Sequence, residues 1–278
     1  MPDSPAARAF AEERRAAIMA MLDRAASVQV ADLAKTFGVS MVTVRADLDA
    51  LERDGKLRRT HGGAVSLHKH LTVSIQDKRV NVNVAAKQAI ARTAIELVDD
   101  GDSILVDSGT TALEFVRTLN LRQGISVITA DVTIADYIDE SMPSVDVILL
   151  GGALRKGHRY LYGPLTIAAI NVLHPDKAFI CPISLVPGRG LMTNYEQMSE
   201  VKSAMLHVAR TSIALVDATK VDASGLIRFA GIEDVDTIVM DRDPEGSVAC
   251  AIEELPPNLP QPRLIVAEKM AHLGPDPK

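Results

Sequence analysis

The N-terminal part of the chain has apolar residues at helical spacing, interrupted by one tight turn. Three series that repeat every three or four residues predict one helix each: Ala17, Ile18, Met21, Leu22 and Ala25 in a helix from Glu12 to Ala26, then Ala31, Leu33, Ala34 and Phe37, then Val44, Leu48 and Leu51. Gly38-Val39-Ser40 is a turn before the third helix, and Ser40 is placed to cap that helix. This order predicts a helix-turn-helix.

The polar positions on the third helix suggest that it contacts DNA. Met41, Thr43, Arg45 and Asp47 fall largely off the apolar stripe, so the first turn of this helix is free to enter a major groove.

A basic hairpin is expected next. Asp54-Gly55 ends the third helix, and Lys56–Thr60 is predicted as the first strand. Gly62-Gly63 forms the turn, and Ala64-Val65 begins the second, antiparallel strand. From Lys56 to Lys69 the charged residues are all basic, which suits contact with phosphates.

The pattern therefore predicts a winged helix-turn-helix on duplex DNA. We expect its contacts to come from Ser40, Met41, Thr43, Arg45, Lys56, Arg58, Arg59 and His61. The alternative is a plain packing unit with a solvated basic face.

Beyond residue 84 the pattern changes to short apolar runs, most of them separated by helical stretches. The runs are Ile104–Val106, Ser126–Thr129, Val145–Leu150, Ala178–Ile180, Ile213–Val216 and Thr237–Met240, with Arg263–Ala267 as a late addition. Such alternation predicts an α/β domain with a mostly parallel, buried sheet. We place a DNA-binding domain at residues 1–65, a linker at 66–84, the α/β domain at 85–270 and a frayed tail at 271–278.

Composition and charge agree with this division. The chain has 278 residues, of which 47% are hydrophobic, so it can bury sizeable cores. Residues 1–69 hold 11 Lys and Arg against 9 Asp and Glu, a net charge of +2. Since the whole chain has a net charge of −6, the remaining residues carry −8. A slightly basic head on an acidic body suits a protein that touches DNA with one part only.

Several classes of site and location are not favoured. Cys181 and Cys250 are expected to be reduced, structural thiols in or beside core strands. The histidines lack metal-ligand spacing, so we predict neither a metal nor a cofactor. No apolar run is long enough for a membrane span, and we expect the cytoplasm.

Asp107-Ser108-Gly109-Thr110-Thr111 follows a strand and opens a helix, at the sheet edge where α/β proteins bind ligands. Gly109 permits close approach, and the hydroxyls and free N–H groups can hold an anion. Equally, Ser108 or Thr110 can simply cap the helix.

Two other strand ends can converge there. Asp217 offers a carboxylate for sugar hydroxyls and Lys220 an ammonium for a phosphate, while Gly151-Gly152 lets a ligand approach the main chain. Taken singly, Lys220 fits a surface lysine and the two glycines a turn.

The N-terminal residues resemble a known signature. Val39-Ser40-Met41-Val42-Thr43-Val44-Arg45-Ala46-Asp47-Leu48, with Leu51, Gly55, Leu57, Arg59 and His61-Gly62-Gly63-Ala64, resembles the signature of the DeoR family of bacterial transcriptional regulators. One departure is Ala46, where the family usually has a second basic residue after the one matching Arg45.

The resemblance extends to the second domain, which in the family is similar to sugar-phosphate isomerases of the ribose-5-phosphate isomerase type and senses phosphorylated sugars. It implies that the Ser108–Thr111 turn and Lys220 hold the phosphate, while Asp107 and Thr129 line the sugar. The chain departs from the pattern at Thr129-Ala130-Asp131, where Thr-Asn is usual, and at Cys181–Gly190, where a Gly-rich segment is common.

Three functions follow from these observations. The first is a DNA-binding regulator, a repressor of carbohydrate genes, that acts as a homo-oligomer on operator DNA under control of a sugar phosphate. The second is a sugar-phosphate isomerase with a DNA-binding head, for which Asp107, Asp131, Asp217 or Glu200 is the candidate base, although none has a distinctive spacing. The third is a regulator with a vestigial pocket. We expect no catalysis.

Overall fold

The computed structural model describes residues 5–24, 27–60, 62–66 and 80–267. These residues form two compact units, one up to residue 66 and one from residue 80. His61, the tail at 271–278 and residues 67–79 of the expected linker lie outside the described residues. Of the residues described, no helix is both long and apolar enough to cross a membrane.

The first unit is a winged helix-turn-helix, as predicted. Its elements are α1 (Pro5–Arg24), β1 (Ser27–Gln29), α2 (Val30–Phe37), α3 (Met41–Arg53), β2 (Leu57–Thr60) and β3 (Gly63–Ser66). The core packs Ile18 and Leu22 of α1 against Leu33, Leu48 and neighbours from α2 and α3. The predicted stripe of Val44, Leu48 and Leu51 is buried.

Local details of this unit depart from the predictions in three places. The first helix begins at Pro5 rather than at Glu12. β1 was not foreseen; it pairs with β3, so the wing is a three-stranded antiparallel sheet in the order β1-β3-β2. On α2, Val30 is buried and Ala31 is exposed, because Val30 is the residue that shares a helix face with Leu33 and Phe37.

Asp47 corrects the predicted polar face of α3. It is 2% exposed rather than solvated. Arg14 Nε donates to Oδ2 at 2.6 Å and Arg15 Nε donates to Oδ1 at 3.1 Å. One buried carboxylate thus ties α1 to α3, and the two arginines supply the charge that makes its burial tolerable.

Asp47→Asn is expected to lower the free energy of unfolding of the first unit by about 1.5–3 kcal/mol, since it removes the charge from two hydrogen bonds. Urea unfolding followed by circular dichroism at 222 nm records the helices of both units, whereas tyrosine fluorescence records the second unit alone, since the four tyrosines lie in residues 137–195. The loss is read from the transition that only circular dichroism shows. The matched control is Asp49→Asn, whose carboxylate pairs with Arg59 but is 59% exposed; there we expect less than about 1 kcal/mol. Equal losses in the two variants would contradict the role given to Asp47.

The second unit has the predicted α/β architecture. Its helices are α4 (Val84–Ala94), α5 (Thr110–Val116), α6 (Val132–Ser141), α7 (Pro164–Asn171), α8 (Glu196–Val208) and α9 (Ser247–Glu253). The central strands are β4 (Ser103–Val106), β5 (Ser126–Thr129), β6 (Asp146–Leu149), β9 (Lys177–Ile180), β12 (Thr211–Val216), β14 (Thr237–Met240) and β15 (Arg263–Val266). Short 3₁₀ turns lie at Ile95–Leu97, Leu119–Leu121, Ala218–Lys220, Ile232–Asp234 and Pro244–Gly246.

The central sheet is seven-stranded and parallel throughout, in the order β15-β14-β12-β9-β4-β5-β6. The chain runs outward from β4 through β5 to β6 and then returns to the other side of β4 with β9. The strand order therefore reverses between β4 and β9, and ligands of open α/β sheets bind at the carboxyl ends of strands at such a point.

Each face of this sheet carries its own apolar core. One face includes Phe115 of α5 and Phe179 of β9, whose ring centres are 4.1 Å apart. The other includes Leu105, Leu185 and Val201. The inner strands, covered on both faces, are the continuous apolar runs that the sequence predicts. The edge strand β6 is not covered: Ile148 is 49% and Leu149 is 44% exposed, so the predicted burial of this run is wrong.

The small strands of this unit were not predicted. β7 (Ala153–Arg155) and β8 (Tyr160–Tyr162) form a hairpin. β10 (Ser184–Val186), β11 (Gly190–Thr193) and β13 (Ile227–Ala230) form an antiparallel sheet. Both cysteines are free thiols; Cys181 follows β9 as expected, whereas Cys250 lies on α9 and is exposed, so its placement beside a core strand was wrong.

Candidate functional site

The first turn of α3 presents the side chains that can reach DNA. Met41 is 51% exposed and Val42 is 72% exposed. Arg45, one turn on, is exposed as well. Ser40 Oγ accepts from Thr43 N at 3.1 Å and lies 2.9 Å from Thr43 Oγ1, so these two predicted contact residues also cap the helix. Val42 was not among the predicted contacts, although its position on the polar face indicated it.

The basic residues of the wing differ in their surroundings. Lys56 and Arg58 are exposed and available to phosphates. Arg59 is held inside the unit: Nη1 lies 3.0 Å from Asp49 Oδ1 and donates to the Arg45 carbonyl at 3.1 Å. We infer that Arg59 fixes the wing against α3 more than it binds a phosphate. His61 lies outside the described residues.

A cavity of about 430 Å³ lies in the second unit, at the carboxyl ends of the adjacent strands β4, β9 and β12. Six residues predicted to bind the effector line it: Ser108, Gly109, Thr110, Thr111, Asp217 and Lys220. The cavity therefore brings together the turn after β4 and the segment after β12, two strand ends that are far apart in sequence.

The turn after β4 is anchored by two carboxylates. Ser108 N donates to Asp107 Oδ1 at 2.8 Å, and Gly109 N donates to Asp131 Oδ2 at 3.3 Å. The N–H groups of Ser108 and Gly109 are therefore already used, and the side chains of the turn offer the hydroxyls of Ser108, Thr110 and Thr111 to the cavity. Gly109 has φ +129° and open space where a Cβ would point, which lets a ligand approach the main chain.

Asp107 does not line the cavity, contrary to the role implied for it. Its carboxylate is 1% exposed and pairs with the Lys202 ammonium of α8. Oδ2 also accepts from Cys181 N at 2.8 Å, while Lys202 Nζ donates to the Cys181 carbonyl at 2.9 Å. Asp107 thus holds Lys202, which does line the cavity, and fixes the ends of β4 and β9 together.

The surroundings of this ion pair keep the nearby thiol neutral. Burial, reinforced by the Asp107 carboxylate, raises the pKa of the Cys181 thiol above its ordinary value. The thiolate is therefore suppressed at neutral pH, and Cys181 contributes shape rather than a nucleophile.

Arg155 reaches the cavity from the β7–β8 hairpin. Its guanidinium carbon lies 3.7 Å from the centre of the Tyr195 ring, and Nη1 donates to the Tyr160 hydroxyl at 2.6 Å. Tyr195 packs edge-on against Tyr162, with ring centres 5.9 Å apart. Aromatic contacts of this kind hold the guanidinium in one place.

The segment after β12 is organised by Asp217. This carboxylate accepts from Thr219 N at 3.1 Å and from Asn83 Nδ2 at 3.4 Å. Lys220 follows on the same 3₁₀ turn and is half-buried. Within residues 80–267 its ammonium has no recorded hydrogen bond or ion pair. Lys220 is therefore placed to meet an anion in the cavity.

Three more predicted residues lie outside the cavity wall. Thr129 is fully buried, and Oγ1 donates to the Val106 carbonyl at 2.8 Å, so it joins β4 to β5. Gly151 accepts at its carbonyl from Thr166 Oγ1 at 2.7 Å. Gly152 has φ +143°, and a Cβ there would lie 2.1 Å from Thr166 Oγ1. Gly152 therefore serves a close-packed turn, whereas a Cβ at Gly151 would meet open space.

The cavity also has wall residues that the sequence analysis did not assign to the site. They include Asn83, Lys87, Arg155, His158, Tyr160, Tyr195 and Lys202. Two of them had a signal in the pattern: Lys87 lies on the stripe of Ile90 and Ala94, and Lys202 on that of Met198 and Met205. A lysine on the buried face of a helix indicates a paired or functional charge.

Comparison with known proteins agrees with both units. Residues 14–70 match the model of the DeoR-like helix-turn-helix domain, and residues 82–242 match that of the DeoR C-terminal sensor domain.

Two curated relatives are repressors by name. The transcriptional repressor AccR of Agrobacterium fabrum is 33% identical over 253 residues, which cover 89% of this chain and 95% of the relative. The HTH-type transcriptional repressor GlcR of Bacillus subtilis is 31% identical, over 84% of this chain and 90% of the relative.

Among solved structures, ribose 5-phosphate isomerase A from Methanocaldococcus jannaschii aligns at 18% identity, over 50% of this chain and 55% of that one, with a TM-score of 0.38. A likeness of that size supports no inference about this chain. The family matches and the relatives, together with the winged helix-turn-helix and the parallel-sheet unit, show that the chain belongs to the DeoR family of DNA-binding transcriptional regulators.

Proposed function

We propose that this chain is a transcriptional repressor whose affinity for its operator is changed by a phosphorylated sugar in the cavity. The observation that carries the proposal is at Lys220, whose half-buried ammonium shares the cavity wall with the hydroxyls of the Ser108–Thr111 turn. Lys87, Arg155 and Lys202 add positive charge to the wall, against a single carboxylate there, Asp217. Residues 70–278 carry a net charge of −8, so this concentration of cations is local. A phosphate monoester carries about −1.5 to −2 at pH 7 and matches it.

The wall also suits the sugar. The hydroxyls of Ser108, Thr110 and Thr111 and the Asp217 carboxylate provide donors and an acceptor for phosphate oxygens and sugar hydroxyls. The effector must bind the free and the DNA-bound protein with different affinity, because a ligand with equal affinity for both shifts nothing. AccR and GlcR, both named as repressors, support the direction of control.

We also propose that the chain self-associates. Helix-turn-helix proteins commonly bind paired half-sites as dimers, so we expect a dimer or a tetramer. Light scattering coupled to size exclusion measures the mass directly.

The isomerase alternative is less well supported. Asp107 is paired with Lys202, and Asp131 accepts from Thr133 N at 2.7 Å and from Gly109 N. Asp217 is held by Thr219 and Asn83, and Glu200 is exposed and outside the cavity wall. A general base is a carboxylate or a histidine within reach of a carbon-bound proton. None of these four carboxylates combines availability with a place in the cavity, and His158 is the histidine of the wall. Turnover of any sugar phosphate by the full chain would favour the enzyme instead.

Calorimetric titration of the full chain with sugar phosphates and with the same sugars lacking phosphate tests effector binding. We expect saturable binding only for phosphorylated sugars. A chain that binds neither class contradicts the proposal, and the cavity would then be vestigial.

Lys220→Gln is expected to weaken binding of the sugar phosphate by about tenfold to a hundredfold, because a hydrogen bond to a charged group is worth about 1.5–3 kcal/mol. Operator affinity without effector should change by less than threefold. Lys156→Gln is the matched control, since Lys156 is an exposed lysine of the same unit outside the cavity wall. If both variants bind the sugar phosphate like the native chain, Lys220 is not a ligand.

A further inference from the structure

Arg155 is a cation that the fold fixes at the cavity wall without a carboxylate. Its guanidinium carbon lies 3.7 Å from the centre of the Tyr195 ring and 5.6 Å from that of Tyr160. The only side-chain hydrogen bond recorded for it within residues 80–267 goes to the neutral Tyr160 hydroxyl. None of the ion pairs in that range includes Arg155. Its remaining N–H groups are thus available to a ligand.

Tyr160 adds a second donor beside it. Burial raises the pKa of the Tyr160 hydroxyl to about 12, although the hydrogen bond from Arg155 acts in the opposite direction. The phenol therefore stays protonated at neutral pH. Because its oxygen already accepts from Arg155, its O–H group is left to donate. Both residues line the cavity, so this part of the wall consists of donors.

The other three cations of the wall each have a partner or an assigned ligand. Lys202 is neutralised by Asp107. Lys87 has an interaction partner of its own. Lys220 lies with the strand-end residues to which we assign the phosphate, whereas Arg155 lies on the β7–β8 hairpin and is held there by stacked rings. Neither the hydrogen bond to Tyr160 nor the stacked rings supply a negative charge to Arg155, and a half-buried arginine without a counterion is costly.

We propose that Arg155 and Tyr160 form a second anion subsite, and that the effector is a sugar phosphate bearing another anionic group, either a carboxylate or a second phosphate. The inference rests on the proposed function and narrows its ligand class. Arginine presents a planar fork of donors that matches both groups bidentately. The hydrogen bond from Tyr160 then goes to the same group.

Calorimetric titration of the full chain with matched pairs tests this. The first pair is glucose 6-phosphate with 6-phosphogluconate, which has a carboxylate in place of the C1 aldehyde. The other two pairs differ by one phosphate: fructose 6-phosphate with fructose 1,6-bisphosphate, and ribulose 5-phosphate with ribulose 1,5-bisphosphate. In at least one pair the doubly anionic member should bind tenfold to a hundredfold more tightly. The pair that shows the difference identifies the second group.

Arg155→Gln should abolish that difference while leaving the affinity for the monophosphate within threefold. Arg159→Gln is the control, since Arg159 is exposed, pairs with Asp136 and is outside the cavity wall. Tyr160→Phe keeps the ring and removes one donor, so it should reduce the difference by about threefold to tenfold even if Arg155→Gln fails to fold.

Equal affinities within every pair would overturn the second subsite while leaving the proposed function standing, because sugar phosphates would still bind. The same holds if Arg155→Gln weakens both members of a pair equally. Absence of binding for every phosphorylated sugar would instead overturn the proposed function together with this inference.

Discussion

Asp107→Ala is expected to lower the free energy of unfolding of the second unit by about 3–5 kcal/mol, because it leaves a buried ammonium without its counterion. The Lys202 side chain is 4% exposed and that of Asp107 is 1% exposed. The variant also removes acceptors for Ser108 N and Cys181 N, so two backbone donors lose their partner.

Tyrosine fluorescence during urea unfolding measures this unit alone. The chain has no tryptophan, and its four tyrosines all lie in residues 137–195. The matched control is Asp136→Ala, which breaks the pair with Arg159, whose partners are 54% and 45% exposed. We expect less than about 1 kcal/mol there.

A double variant separates the charge effect from packing. Adding Lys202→Met to Asp107→Ala removes the unpaired charge, so the double variant should be more stable than the sum of the two single losses predicts. Strict additivity would mean that the two side chains are not coupled and would contradict the buried pair.

Arg45→Ala is expected to weaken operator binding by about fivefold to 150-fold, equivalent to about 1–3 kcal/mol for one lost base contact, while affinity for random duplex DNA changes much less. Arg45 lies one turn into α3 beside the exposed Met41 and Val42, on the face that can enter a major groove. Anisotropy titrations on an operator selected from a random duplex pool measure both affinities.

Two controls distinguish the recognition helix from general charge. Arg53→Ala removes an exposed arginine in the last turn of the same helix and should leave operator preference intact. Arg58→Ala should weaken operator and random DNA alike and reduce the salt dependence by about one unit of slope. Unchanged operator affinity in Arg45→Ala would remove α3 from its assigned role.

The apolar pattern predicted most of the helices and central strands because each buries one face or both. Leu48 and Leu51 of α3 and the runs of β4 and β12 are buried as expected. The pattern could not show Ser27–Gln29, a strand too short for periodicity, or the burial of Asp47, which depends on two arginines 32 and 33 residues away.

The candidate site was predicted in part. Strand ends indicated the Ser108–Thr111 turn, Asp217 and Lys220, since parallel strands bring their carboxyl ends to one edge. Arg155 was missed because its place depends on how the β7–β8 hairpin folds back onto Tyr195, the residue before α8. Thr129 and Gly152 were wrongly assigned to the site, because a hydroxyl or a glycine at a strand end can contact a ligand or serve the packing of the fold equally well.

The most direct test of the proposed regulation is the anisotropy of a fluorescent operator duplex, from the DNA upstream of the chain's own gene, titrated with the full chain at fixed salt. The titration is repeated with each phosphorylated sugar and with its unphosphorylated counterpart. We predict specific binding that one phosphorylated sugar shifts by at least fivefold and its counterpart does not. Specific binding that no phosphorylated sugar shifts would contradict effector control, and binding no tighter than to random DNA would contradict operator recognition itself.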